Sequence, residues 1–208
     1  MGVPYFSQWE SRDLTEAVVA EGAKVALARD ASWASSGAAT QAEYVEWADH
    51  VCGMACLKMM LAARTGRVVP TLELARGCTE HGGYVRQPDG GIKGLIYAPF
   101  TRYVAAQFGM VAEVVVGVEA AALPDILRQA EFFMASVHPG IRWPERAPPG
   151  RGGHLVLVHR ATAERIVFHN PSGHDRAAQE NAEMAPAEFD RFFAGRGVAV
   201  YPEGAGPG

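Results

Sequence analysis

The sequence predicts an α+β fold: a single domain, residues 1–208, in which a helix-rich N-terminal half packs on a C-terminal antiparallel sheet. The length suits one well-packed domain, and 49% hydrophobic with 20% charged residues is ordinary for a globular chain. Apolar stretches of helical length fill the first half, whereas short β-branched runs fill the second. Because helices and strands are segregated rather than alternating, the pattern favours α+β over a parallel α/β sheet.

Four segments of the first half carry apolar residues at helical spacing. They are residues 14–29, 52–65, 71–78 and 95–108. Gly22 interrupts the first segment, Gly66 ends the second, and Pro99 must lie in the first turn of the fourth or kink it. The stretches 31–40 and 81–94 are rich in small residues and glycine, and both are predicted loops.

The second half contains short apolar or β-branched runs that predict strands. They are residues 111–117, 132–138, 154–160, 165–170 and 197–202. A helix is expected near 120–130 and another near 186–194. The Pro/Gly-rich stretch 139–153 is a long predicted loop that leads into a strand, and loops of that length inside a compact domain are often functional.

Charge and hydropathy argue against several classes of partner. The net charge is −4 and no basic run is present, so a nucleic-acid partner is not expected. No apolar stretch reaches the roughly 18–20 residues that span a bilayer, so no membrane partner is expected either. The N-terminus lacks the regions of a secretory signal, and we therefore expect a cytoplasmic protein. Three sparsely spaced cysteines predict neither a disulfide framework nor a zinc site, and we expect no metal and no cofactor.

The segment DHVCGMACLKMML, residues 49–61, places two cysteines four positions apart where the strongest predicted helix begins. Cys52 lies in the first turn, where unpaired backbone N–H groups and the helix dipole favour a thiolate. Cys56 lies one turn deeper and is expected to be a small core residue. Gly53 would let a substrate backbone approach the sulfur. The alternative is that both cysteines are simply buried, as free cysteines often are.

A candidate base for Cys52 lies at the end of the long loop. His154 opens a predicted strand, and Asn170 follows 16 residues later, where the next strand ends. Adjacent antiparallel strands of this length can bring the two side chains together, so that Asn170 orients one imidazole nitrogen and leaves the other for a thiol. His169 and His159 are the next candidates for the base. An imidazolium beside the thiol would lower the pKa of Cys52 well below about 8.5.

Four motifs in order resemble the papain-like cysteine peptidases. They are VPYFSQW (3–9), DHVCGMACLKMML (49–61), RGGHLVLVHR (151–160) and FHNPSG (168–173). The resemblance is strongest to the bacterial double-glycine, bacteriocin-processing leader peptidases (C39-like peptidases) and their stand-alone relatives. It implies the papain-like cysteine peptidase fold and a thiol-dependent activity. The tripeptide Met54-Ala55-Cys56, which follows Gly53, differs from the residues that relatives often carry at these positions. This difference suggests a divergent substrate.

The resemblance also implies roles for individual residues. Cys52 takes the nucleophile position, His154 the general base and acid, and Asn170 the orienting position. Gln8 takes the oxyanion-hole position, together with the backbone N–H of Cys52. Gln8 precedes Cys52 by 44 residues, a longer gap than the family usually has, so residues 10–48 must loop out and return. Gln41 is the alternative donor.

These roles imply a cysteine-dependent peptidase or amidase that hydrolyses a peptide or amide bond through a thioester. An acyl or aminoacyl transferase with the same triad, forming amides in a biosynthetic pathway, is the first alternative, and a catalytically silent binding module is the second. The substrate is expected to be a peptide or a small amide. Candidate substrate-binding residues are Trp143, Gly53, Gly153 and Tyr84. Arg142, on the same loop as Trp143, could bind a carboxylate.

Overall fold

A computed structural model of the chain describes residues 2–88 and 90–206, and within them the predicted α+β arrangement is confirmed. The main sheet is antiparallel, with strand order β3-β8-β4-β5-β6-β7. Its strands are β3 (Ala112–Val116), β4 (Phe132–Val137), β5 (His154–Ala161), β6 (Ile166–His169), β7 (Ala182–Met184) and β8 (Phe193–Val200), and a separate ribbon pairs β1 (Val85–Arg86) with β2 (Ile92–Lys93). The last strand of the chain, β8, therefore lies inside the sheet, between β3 and β4.

The longer helices precede the main sheet in the chain, and short helices connect its strands. The helices are α1 (Thr15–Glu21), α2 (Ala23–Leu27), α3 (Gln41–Trp47), α4 (Cys52–Thr65), α5 (Thr71–Glu80), α6 (Tyr97–Phe108), α7 (Leu123–Ile126), α8 (Arg176–Gln179) and α9 (Pro186–Phe189). None of the helices in this described part of the chain is long and apolar enough to cross a membrane.

Strand alternation divides the sheet into two apolar faces. One face packs against α4 and α6, and its strand residues are Phe132, Met134, Leu155, Leu157, Val198 and Val200. The other face packs against α7 and α9, and its strand residues are Phe133, Ala135, Val137, Val156, Val158, Ile166, Phe168 and Ala199. Both faces are covered, so the central strands β4 and β5 are buried almost throughout.

Helix α4 forms as the sequence predicts. It begins at Cys52 and ends at Gly66, which adopts the left-handed conformation (φ 72°) typical of a helix C-terminus. Its residues from Gly53 to Leu61 are all buried, because the helix lies between the sheet and α5. A helix that is apolar around its whole circumference must be enclosed in this way, and the enclosure fixes the position of Cys52 at its start.

Several predicted elements differ from the observed ones for local reasons. The helix expected over 14–29 is divided at Gly22, whose φ of 89° has no place in a helix, into α1 and α2. The expected loop 81–94 contains the β1–β2 ribbon, with residue 89 outside the described part. The helices expected near 120–130 and 186–194 are only one turn long, and β8 begins four residues earlier than predicted. Helix α3 and strand β7 have no counterpart in the prediction.

Residues 10–48 fold back on themselves as a small helical layer. Helices α1 to α3 enclose a separate apolar cluster whose buried members are Trp9, Val18, Ala26, Leu27, Tyr44 and Ala48. Asp30 holds this layer together, since its carboxylate accepts hydrogen bonds from Ser11 and from the Tyr44 hydroxyl. At the start of the layer, Glu10 pairs with the buried Lys58 of α4 at 3.6 Å. The layer thus begins and ends against α4.

Candidate active site

Cys52 is the first residue of α4, as the sequence predicts. The helix has no side-chain cap at this end, and the backbone N–H of Gly53, in its first turn, donates to the sulfur of Cys52. Cys52 is half-buried, whereas Cys56 and Cys78 are fully buried. Cys56 packs inside the helical face of the sheet, with its thiol 3.8 Å from the carbonyl oxygen of Leu155. Of the three thiols, Cys52 alone is accessible.

The structure brings His154 and Asn170 together. The β5–β6 register pairs Leu157 with His169, so Asn170 follows β6 close to the first residue of β5. The Nε2 atom of His154 lies 2.8 Å from Asn170 Oδ1, and both side chains are buried. Antiparallel pairing, which the sequence indicated, therefore places an amide oxygen on one edge of the imidazole.

The proton on this imidazole can be assigned from its neighbours. The backbone N–H of Ser172 donates to Asn170 Oδ1 at 3.1 Å, which fixes this atom as the oxygen of the amide. An amide oxygen can only accept, so Nε2 must carry the proton that it receives. The Nδ1 atom of His154 is then the unprotonated nitrogen, and it is the one left to act as a base.

Two cavities meet at Cys52. One has a volume of about 340 Å³ and is lined on the α6 side by Leu95 and Tyr97. The other has a volume of about 310 Å³ and is lined by Gln8 and by α1. Cys52, His154, Gly153 and Asp49 line both cavities. A bond bound across the two cavities would lie beside the sulfur and the imidazole.

Gln8 returns to the site despite the long insertion. Its backbone N–H donates to the carbonyl oxygen of Pro171 at 2.8 Å, next to Asn170, and its side chain lines the 310 Å³ cavity with Cys52. Its Oε1 atom is buried and has no hydrogen-bond partner within residues 2–88 and 90–206. Gln41, the alternative donor, is exposed on α3, donates to the carbonyl oxygen of Ala28 at 2.8 Å and lines neither cavity.

The ionisation of the two central groups differs from the sequence-based expectation of a lowered thiol pKa. Burial raises the pKa of the Cys52 thiol to about 11, although backbone hydrogen bonds from Leu155 and Gly53 act in the opposite direction. Burial, aided by the positive charge of Arg142, lowers the pKa of His154 to about 3. Desolvation disfavours both charged forms at once. Burial therefore favours the neutral thiol and the neutral imidazole, and the direction expected from sequence for the Cys52 pKa is wrong.

Two residues near the triad extend the predicted set. Arg142, in the turn that follows β4, lines the 310 Å³ cavity, and its Nε and Nη2 atoms donate to Ser172 Oγ at 3.0 and 2.6 Å. Ser172 Oγ in turn lies 3.1 Å from His154 Nε2. Sequence reasoning considered Arg142 only as a carboxylate ligand and did not single out Ser172. The one signal for Ser172 was its position in the FHNPSG motif, two residues after Asn170.

The other candidate bases have structural partners. The Nδ1 atom of His169 accepts a hydrogen bond from the backbone N–H of Asn181, and its Nε2 atom lies 2.9 Å from the carbonyl oxygen of Val3. The ring of His159 packs 4.6 Å from that of His169. Neither histidine lines a cavity that contains Cys52.

Of the candidate substrate-binding residues, the structure places only Gly153 on the cavity walls, where its φ of 96° favours glycine. Gly53 instead packs closely: a Cβ there would lie 2.7 Å from Leu95 Cδ2, so the space next to it is filled by protein. Tyr84 is buried edge-on against Trp47. Trp143 stacks on His174, with ring centroids 5.5 Å apart, and lines neither cavity.

Comparisons with known proteins bear on the fold. No family profile matches the sequence, and no curated protein matches it. Among solved structures, the peptidase domain of Streptococcus ComA, a bifunctional ABC transporter of a quorum-sensing pathway, superposes with a TM-score of 0.50 at 15% identity, over 74% of this chain and 93% of that one. A putative C39-like peptidase from Bacillus anthracis superposes with a TM-score of 0.52 at 13% identity, over 76% and 90%.

At these identities the similarity concerns the fold. The chain shares the α+β fold of these C39 peptidase structures, which confirms the fold that the resemblance of the four motifs implied.

Proposed function

We propose that the protein is a cysteine-dependent peptidase or amidase that hydrolyses a peptide or amide bond through a thioester on Cys52. The observation that carries the proposal is the orientation of His154. The Nε2–H group donates to Asn170 Oδ1 at 2.8 Å, so the unprotonated Nδ1 atom is left to act as a base. His154 and Cys52 line the same two cavities. If Cys52 and His154 served only to fill space in the core, an oriented imidazole beside the thiol would not be required.

The first half-reaction starts from the neutral pair. As the sulfur of Cys52 attacks the acyl carbon, the Nδ1 atom of His154 takes the thiol proton, and the tautomer set by Asn170 makes Nδ1 ready to accept it. The oxyanion that forms is stabilised by the side-chain amide of Gln8 and the backbone N–H of Cys52. Each such donor is typically worth about 10²–10³ in rate.

The imidazolium then returns its proton to the leaving amine, and the thioester remains. In the second half-reaction His154 takes a proton from water as the water oxygen bonds to the acyl carbon. The C–S bond then breaks to release a carboxylic acid, and the imidazolium returns its proton to the departing sulfur, which restores the neutral Cys52 thiol. Through both half-reactions Asn170 Oδ1 accepts the hydrogen bond from Nε2–H of His154. The imidazolium is needed only transiently, which agrees with the lowered pKa of His154 in the resting site.

Acyl transfer to an amine is a second candidate. The observation that favours it is the pair of cavities of about 340 and 310 Å³ that share Cys52 and His154, since one cavity could hold the acyl group and the other an incoming amine. The thioester is common to both reactions, and only the acceptor of the second step differs.

The test is a panel of peptide amides and small amides, incubated with the wild-type protein and with Cys52→Ala, in the presence and absence of hydroxylamine. Intact mass spectrometry should detect an acyl adduct on Cys52 in the wild type only. Free acid as the main product supports hydrolysis, and preferential hydroxamate or amide formation supports transfer. Products that form equally with Cys52→Ala would contradict both, and a protein that binds panel members without acylation would be the silent binding module.

A further inference from the structure

We propose that Ser172 and Arg142 are positioning residues for His154: Arg142 clamps the Ser172 hydroxyl, and Ser172 together with Asn170 holds the Nε2–H edge of the imidazole so that Nδ1 faces Cys52. The inference deepens the proposed function and rests on it for its chemical purpose. The geometry on which it is based does not depend on any substrate.

Ser172 contacts the imidazole of His154 directly. Ser172 Oγ lies 3.1 Å from His154 Nε2, next to Asn170 Oδ1 at 2.8 Å. If the hydroxyl donated to Nε2, that nitrogen would be unprotonated, and the amide oxygen would face a lone pair at 2.8 Å. The hydroxyl therefore does not donate to Nε2. Asn170 Oδ1 accepts the Nε2–H hydrogen bond at 2.8 Å, and the Ser172 oxygen lies beside the same N–H at 3.1 Å as a second, weaker electrostatic contact.

Arg142 holds the Ser172 hydroxyl in place. A guanidinium has only donors, and both Nε and Nη2 point at the one oxygen, at 3.0 and 2.6 Å. Ser172 is fully buried, so no solvent competes for this oxygen. The fork of Arg142 thus keeps the Ser172 oxygen turned toward the imidazole, and a lysine could not reproduce both bonds in the same geometry.

Within the described residues, the amide of Asn170 is held through its oxygen and not through its nitrogen. Its Nδ2 atom is buried without a hydrogen-bond partner in the described part of the chain, so the amide depends on contacts at Oδ1. The backbone N–H of Ser172 supplies one of these contacts at 3.1 Å. Ser172 therefore supports the imidazole twice: through its hydroxyl directly, and through its backbone by way of Asn170.

The charge of Arg142 adds to the effect of its geometry. The guanidinium contributes to the lowered pKa of His154, and it opposes the raised pKa of Cys52. It thereby disfavours imidazolium and favours negative charge on the sulfur. Arg142→Lys keeps this charge while removing the fork, so the variant separates the clamp from the charge.

The experiment measures the tautomer of His154 and the reactivity of Cys52 in the same proteins. Imidazole nitrogen shifts of isotope-labelled histidine report the tautomer, and His154→Ala assigns the signals. Alkylation of Cys52 by iodoacetamide at pH 7, followed by intact mass, reports whether Nδ1 assists. In Ser172→Ala and Arg142→Lys we expect a measurable Nδ1–H population and an alkylation rate lower by about 10- to 100-fold, since a misplacement near 1 Å can cost about 10².

Ser35→Ala and Arg102→Met are the matched controls, because both residues are exposed and remote from the two cavities that Cys52 lines. They should retain the wild-type tautomer and rate. If Ser172→Ala and Arg142→Lys both keep the wild-type tautomer and alkylation rate, the proposal is wrong. If only Arg142→Lys keeps them, the proposed role of Arg142 in holding the Ser172 hydroxyl is wrong. If Arg142→Lys does not fold, the test rests on Ser172→Ala, which removes only one oxygen atom. Neither readout needs turnover, so a failure to find any acyl product would count against the proposed function alone.

Discussion

The neutral state of Cys52 and His154 is the prediction in which structure and sequence disagree most clearly. With the thiol pKa at about 11, about one thiol in ten thousand is ionised at pH 7. With the imidazole pKa at about 3, about one imidazole in ten thousand is protonated at that pH. We expect both groups to be neutral across the whole range from about pH 5 to about pH 9.

A pH profile of reactivity cannot test this prediction, because a neutral pair and a thiolate–imidazolium pair lose the same protons in the same two macroscopic steps. The species must be observed directly. The assay is the ultraviolet difference spectrum between wild type and Cys52→Ala, which reports thiolate, recorded beside the nitrogen shifts of His154. Cys52 should contribute no thiolate absorbance near pH 7, and the imidazole should give the shifts of a neutral ring.

The control is His154→Ala, which removes the imidazole that would take the thiol proton in the proposed mechanism. If the pair is neutral, the difference spectrum near pH 7 is the same with and without the imidazole. A thiolate signal close to one per chain in the wild type, lost in His154→Ala, would refute the argument. It would mean that local interactions outweigh the desolvation from which the neutral state was inferred.

Three further predictions follow from the geometry. Iodoacetamide should label Cys52 far faster than the two fully buried cysteines, as peptide mapping of the folded protein can show, and equal labelling would contradict the assignment. Gln8→Ala should lower kcat by about 10²–10³ with little change in KM, whereas Gln41→Ala should leave both unchanged; a pure KM effect of Gln8→Ala would argue against an oxyanion donor. Lys58→Met should cost about 3–5 kcal/mol in urea unfolding because it leaves Glu10 buried without its cation, and adding Glu10→Gln should recover most of this loss; additive losses would count against the pair.

The parts of the site that could be predicted from sequence depend on local periodicity. The start of α4 at Cys52 follows from apolar residues at helical spacing in a segment that ends at Gly66. The meeting of His154 and Asn170 follows from two short strands and a tight connection, because antiparallel pairing leaves few registers. Both inferences need only residues that are close in the chain.

The parts that could not be predicted depend on distant contacts or on burial. Gln8 reaches the site because its backbone bonds to Pro171, more than 160 residues away. The function of Arg142 depends on which serine its fork meets, and no spacing in the sequence specifies that. The direction of the Cys52 pKa was wrong because a helix dipole can be seen in a sequence, whereas the desolvation that exceeds it cannot. Trp143 was expected at a cavity wall but stacks on His174, a contact between distant residues that no spacing in the sequence specifies.

The attachment of the N-terminal segment to the loop after β6 has a consequence for mutational analysis. The Tyr5 hydroxyl donates to the carbonyl oxygen of Asn170, and Ser7 and Gln8 both donate to that of Pro171. The proposed oxyanion donor and the proposed imidazole orienter are thus mechanically one unit, although they lie at opposite ends of the sequence. Substitutions at Gln8 and Asn170 should be energetically coupled, so their effects should not add in a double-mutant cycle. A truncation of the first few residues would then reduce activity through the imidazole as well as through the oxyanion hole.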